Sequence, residues 1–195
     1  MIHTESSPVR GRPRGAAAPI ALVLAGLAAL TIGASAFLLV PTSPASARAV
    51  GTADGVVPEG VTAFDDAYPA ISKLDPALLA ALRQAADDAA DEGVVLEVNS
   101  GWRSVAYQER LLREAVAEHG SADEAARWVA EPSASSHVSG AAVDIGPAEA
   151  SSWLIAYGAR YGLCQIYANE PWHFELRPDA IEAGCPEMYA DATER

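Results

Sequence analysis

The sequence predicts an α+β domain: a small, mostly antiparallel sheet with helices packed against it. Two observations lead there. Long, capped helical patterns come first, between residues 75 and 120, and short strand patterns gather later, at 141–145, 163–167 and 172–176. No internal repeat points to another architecture. Asp75-Pro76 is an N-cap followed by proline at the first helical position, and Leu78, Leu79, Leu82 and Ala86 form an apolar face that Gly93 terminates. Residues 94–98 alternate weakly and read as a strand. Ser104 opens a second helix with Tyr107, Leu111, Leu112 and Ala115 on one face, and Gly120 stops it. Ser121-Ala122-Asp123-Glu124 is a capping box for a shorter helix carrying Trp128. After a turn-rich stretch, 131–140, comes a buried strand, then a helix over 151–161 with Trp153, Leu154 and Tyr157 inward, then two closing strands.

Ahead of this domain, Arg10, Arg12 and Arg14 precede an uncharged apolar run over residues 16–40. The run is long enough to cross a bilayer, which takes about 20 apolar residues. It reads either as an uncleaved anchor behind a basic cytoplasmic tail (1–15) or as a long signal cleaved near Ala45-Ser46-Ala47. Both readings expose the remainder outside the membrane, in the cell envelope or beyond. Residues 41–60, rich in Pro, Gly, Ser and Ala, read as a flexible tether, and the folded domain is expected over 61–195. The net charge is −13, and setting the three arginines aside leaves the body more acidic still. Such a surface repels nucleic acid, whose binding depends on neutralising phosphates. It otherwise suits a solvated monomer.

The chemistry concentrates in two stretches: Ser135-Ser136-His137-Val138-Ser139-Gly140-Ala141-Ala142-Val143-Asp144, and Glu170-Pro171-Trp172-His173. A catalytic zinc takes about three protein ligands and keeps one position open. His137, Asp144 and His173 supply that set, and Glu170 a nearby carboxylate. His137 and Asp144 stand seven apart, which is not the one-turn spacing of H-E-x-x-H helices, so they must converge from a loop and the strand it feeds. On the strand over 172–176, period two puts His173 and Glu175 on one face and Trp172, Phe174 and Leu176 on the core face. Pro171 breaks that regularity and lets Glu170 turn back towards the site. The other histidines have ordinary readings: His119 beside a helix C-terminus, His3 in the tail. Cys164 and Cys185 are the only cysteines. With no C-x-x-C pair to favour metal binding, an exported domain would join them as a disulfide bracing the loop that carries Glu170 and His173.

The pattern S-x-H-x-x-G-x-A-x-D, matched by Ser135, His137, Gly140, Ala142 and Asp144, and E-x-W-H, matched by Glu170, Trp172 and His173, resemble the VanY-type D-alanyl-D-alanine carboxypeptidases. These belong to the zinc peptidase group with lysostaphin-like enzymes and hedgehog domains. Ser100-Gly101-Trp102-Arg103-Ser104, with Gln108 following, is similar to a third family segment. The resemblance covers roughly residues 61–185 and implies the same α+β fold, Zn²⁺ as cofactor, and hydrolysis of peptidoglycan stem peptides. A D,D-carboxypeptidase releasing terminal D-alanine fits it first. L,D-carboxypeptidase, D,D-dipeptidase and endopeptidase activities share the same residues, and a zinc-bearing binding module without catalysis is the reading of another class. Glu170 is the expected general acid–base, and Arg103 the expected cation for the developing oxyanion. The resemblance also implies that Arg103, Gln108 and Ser135 contact the substrate. Departures at Trp102 and at Leu163-Cys164 touch the pocket walls rather than the metal.

Overall fold

The computed structural model describes residues 49–195. The basic tail with His3, the apolar segment and the first part of the tether lie outside the described residues. Among the described residues no helix is long and apolar enough to cross a membrane.

Local sequence decides where the two main helices start and stop. Short α1 (Pro69–Ser72) leads to α2 (Pro76–Asp91), whose N-cap Asp75 accepts hydrogen bonds from the backbone N–H of Ala77 and Leu78. Gly93, at φ +81°, ends it as the sequence predicts. Strand β1 (Glu97–Ser100) follows, then α3 (Val105–His119), capped by Ser104 and stopped by left-handed Gly120. Ser121 caps α4, but that helix is only Ala122–Ala125, so Trp128 lies in the turn beyond it. There the indole stacks on the ring of His119, 5.8 Å away. Strand β2 (Ala142–Gly146), α5 (Ala148–Tyr157), β3 (Leu163–Gln165), β4 (His173–Leu176) and the short α6 (Ala180–Ala183) complete the order.

The four strands form one antiparallel sheet in the order β1-β2-β4-β3. Alternation sends Val143, Ile145 and Phe174 into a core filled by Leu78, Leu82, Ala85 and Ala89 of α2 and by Trp153 and Leu154 of α5. Asp144 and His173 point to the other face, where the register places them directly opposite one another. Ala142 stands opposite Glu175, and its small side chain leaves that stretch of the face to the carboxylate.

Three expectations need correction. The domain starts before Val61: residues 52–54 form a 3-10 turn, Asp54 is buried, its carbonyl accepts from the Ser104 N–H, and Val57 packs on the core. Composition hid this, because a glycine- and proline-rich segment can still be fixed by a few backbone bonds. Strand β1 lies about two residues later than the weak alternation suggests, since Ser100, polar by sequence, pairs with Asp144 of β2 across an irregularity at Asn99. Trp172 is not a core residue. It precedes β4 and is 40% exposed, so period two does not apply to it.

Cys164 on β3 and Cys185 form a disulfide enclosing the loop that carries Glu170 and His173. With a sequence separation of 21, the chain-entropy contribution is about 3 kcal/mol. Replacing both cysteines by serine should lower unfolding free energy by about that amount in urea titrations. An unchanged midpoint would show that the cross-link braces nothing.

Candidate metal centre

His137 sits in the loop before β2, and two close backbone approaches hold that loop. Gly140, at φ +77°, lies so near the turn between α1 and α2 that a Cβ would meet the Lys73 carbonyl oxygen at 2.4 Å. Its own carbonyl accepts from the Asp75 N–H at 2.8 Å, which ties the loop to the start of α2. The segment after β1 braces the loop from the other side. The Arg103 N–H donates to the His137 carbonyl, and the Gly101 carbonyl accepts from His137 Nδ1 at 2.8 Å. A side chain at position 101 would collide with the Ala70 carbonyl, which explains glycine there.

That bond sets the His137 tautomer, so Nε2 is the nitrogen presented to the site. On β4 the arrangement is reversed: His173 Nε2 faces Glu175 Oε1 at 3.3 Å and Nδ1 is presented. His137 Nε2, His173 Nδ1 and Asp144 Oδ1 then form a nearly equilateral triangle with edges of 3.2, 3.2 and 3.3 Å. Tetrahedral ligands at about 2.0–2.1 Å from zinc stand about 3.3 Å apart, so the triangle has the size the ion requires. All three residues are buried. With the outer nitrogens donating, three lone pairs converge, an arrangement that a cation or a proton must reconcile.

The electrostatics agree. Burial raises the Asp144 pKa, but His137, His173 and Arg103 outweigh it and hold the carboxyl well below its usual range. Burial also lowers both histidines. In His137 it prevails, whereas in His173 hydrogen bonds with Asp144 and Glu175 push the pKa up to about 9. Glu170, 8% exposed, has Oε2 3.8 Å from His173 Nδ1. Burial, aided by Asp144, raises its pKa to about 7 against the pull of His173 and Arg103.

A pH prediction follows for protein held in chelator. His173 and Glu170 both have raised folded-state values, so their contributions are complete at low pH. They fade as pH climbs, for Glu170 from 4.5 to about 7 and for His173 from 6.5 to about 9. Urea titrations should show the metal-stripped domain less stable at pH 9 than at pH 6, by up to about 3 kcal/mol from His173. Equal or greater stability at pH 9 would contradict these assignments.

Arg103 joins the site from the turn before α3. Its Nη2 donates to Asp144 Oδ2 at 2.6 Å, Nε to Ser100 Oγ at 2.7 Å and Nη1 to Gln108 Oε1 at 3.2 Å. Asp144 thus offers one oxygen to the triangle and the other to Arg103. Gln108, fully buried, also donates to the Ala130 carbonyl, so it braces Arg103 as well as lining the cleft. Beside the triangle opens a cleft of about 250 Å³ lined by Arg103, Gln108, Ser135, Glu170, Trp128 and Trp172 among others. A larger concavity of about 550 Å³ near Cys185 and Arg177 contains none of these groups, so size alone does not mark the site. Tyr167 is buried against the His173 ring, and Trp102 lies under the Lys73 ammonium at 3.7 Å.

One residue in this neighbourhood carries no role in the sequence reading. Period two places Glu175 on the His173 face, but the sequence does not reveal its surroundings. It accepts from Ser136 Oγ, Arg177 Nη2 and Arg195 Nη1, three groups far apart in sequence or without any motif. The available signal was a charged residue at an inward strand position two beyond a ligand.

A buried triangle of two imidazoles and a carboxylate, set on an antiparallel sheet at the edge of an open cleft, defines a mononuclear metal-centre domain. The family model for VanY, D-alanyl-D-alanine carboxypeptidase, matches residues 71–179, and the chain belongs to that family. A D-alanyl-D-alanine carboxypeptidase of Enterococcus faecalis (strain ATCC 700802 / V583) is 33% identical over 113 residues, 45% of this chain and 42% of the relative. The chain therefore spans less than half the length of that curated relative. Among solved structures, a mutant of the vancomycin resistance D,D-pentapeptidase VanY from a VanB-type cassette, in complex with Zn(II), superimposes with a TM-score of 0.52 at 30% identity, covering 57% of this chain and 75% of that one. VanYB in complex with D-alanine-D-alanine gives the same TM-score, 0.52, and identity, 30%, over 57% and 74% of the two chains.

Proposed function

We propose that this domain is a zinc-dependent D,D-carboxypeptidase that removes terminal D-alanine from peptidoglycan stem peptides. The observation that carries the proposal is the triangle itself, sized for a tetrahedral ion and adjoined by Glu170. His137 Nε2, Asp144 Oδ1 and His173 Nδ1 would hold the zinc. Bound there, it would polarise the scissile carbonyl and make water reactive near neutral pH.

The protein's own groups account for the remaining steps. Glu170 accepts a proton from the attacking water on its carboxylate and delivers it to the leaving amine nitrogen. The products are a shortened stem with a new carboxylate and free D-alanine. A value near 7 suits a group that must both take and give a proton at neutral pH. Arg103, locked by Asp144, Ser100 and Gln108, presents a fixed planar cation to substrate oxygens. Ser135, buried in the cleft wall, is placed to contact the peptide. The apolar N-terminal segment and the Cys164–Cys185 disulfide support an extracytoplasmic location, membrane-anchored or secreted.

The test is release of D-alanine from a synthetic pentapeptide stem ending in D-Ala-D-Ala. Cleavage should stop in chelator and return with added zinc. A tetrapeptide stem run in parallel separates L,D- from D,D-cleavage. Absence of metal-dependent cleavage of any stem would reject the proposal.

A further inference from the structure

We propose that Glu175 is the positioning residue for the metal ligand His173, and that the C-terminal residues are part of the metal centre through Arg195. The inference rests on the reading that His137, Asp144 and His173 hold a divalent cation.

Glu175 is 1% exposed on β4. Burying a carboxylate is costly, and an apolar residue at such a position would serve stability as well or better. Here four separate groups converge on it. Oε1 accepts from Ser136 Oγ at 2.6 Å and Arg195 Nη1 at 2.5 Å and faces His173 Nε2 at 3.3 Å, while Oε2 accepts from Arg177 Nη2 at 2.7 Å. With Ser136 Oγ and both arginines donating to it, the carboxylate is held in place and presents an acceptor to the imidazole. An acceptor at Nε2 places the ring proton there and leaves Nδ1 with its lone pair aimed at Asp144 and His137.

The geometry also explains why a segment so far along the chain packs here. The Tyr189 N–H donates to the Ile166 carbonyl, and the Ala168 N–H to the Tyr189 carbonyl. Asp191 Oδ2 accepts from Arg127 Nε at 2.8 Å. These contacts carry Arg195 back across the sheet face to Glu175, Ser136 and the Tyr167 hydroxyl.

The experiment is a zinc titration against a competing chelator for the wild type and Glu175→Gln. Gln keeps the size but turns one acceptor oxygen into an NH2 donor, so it cannot accept from Ser136, Arg195, Arg177 and His173 together. The expected result is a zinc Kd raised 10- to 100-fold, the range typical of carboxylates behind a ligating histidine. Equal Kd values would overturn the proposal. Since the Gln variant risks folding poorly, nitrogen-15 spectra of the zinc-loaded wild type give a second readout: the His173 ring proton should be on Nε2. A proton on Nδ1 would overturn the assignment whatever the variant does. The wild-type titration separates this from the underlying reading, which fails only if the wild type itself binds no zinc at these residues.

Discussion

Glu170→Gln is expected to cut turnover on a pentapeptide stem by about 10²–10⁴-fold while leaving zinc bound. The carboxylate lies beside the triangle rather than in it: its Oε2 stands 3.8 Å from His173 Nδ1, against 3.2–3.3 Å among the three ligands. Its removal therefore takes away proton transfer and not the ion. The same variant should be more stable than wild type above pH 7 in chelator. Burial makes the ionised form costly, and a shift from 4.5 to about 7 corresponds to up to about 3 kcal/mol. A stabilised, zinc-binding, inactive variant would be the signature of a group kept for chemistry. Full activity in Glu170→Gln would transfer the acid–base role elsewhere. A wild-type domain that binds zinc but never turns over would favour the non-catalytic binding module.

Asp144→Ala should do wider damage. Asp144 gives one oxygen to the triangle and the other to Arg103, whose side chain is largely covered at 13% exposure. Truncation removes a ligand, leaves the guanidinium without its closest partner and strips His173 of the bond that raises its pKa. Breaking a buried ion pair costs on the order of 3–5 kcal/mol. Zinc affinity should fall further than the 10- to 100-fold seen when only a supporting residue is lost. Calorimetric zinc titration and urea unfolding would measure the two effects separately. Retained zinc affinity would mean that Asp144 serves Arg103 alone.

Much of this was legible in the chain because the deciding physics is local. Asp75, Ser104, Gly93 and Gly120 each cap or stop a helix through their own backbone chemistry, and the structure places the helix ends there. The triangle was legible because His137, Asp144 and His173 sit in spaced motifs, and because alternation on β2 and β4 turns Asp144 and His173 to one face. What stayed hidden depends on pairing over distance. Ser100 becomes a strand residue only because β2 pairs with it, and Trp172 escapes the core because β4 begins one residue later. Glu175 illustrates the same point: its partners come from residues 136, 177 and 195, and only the folded chain brings them together.

The most direct measurement is an anomalous diffraction map of zinc-soaked crystals of the domain, collected at the zinc edge. The predicted result is a single peak about 2.0–2.2 Å from His137 Nε2, Asp144 Oδ1 and His173 Nδ1, with Glu170 outside bonding distance. A peak held by other residues, or none between these three, would contradict the account.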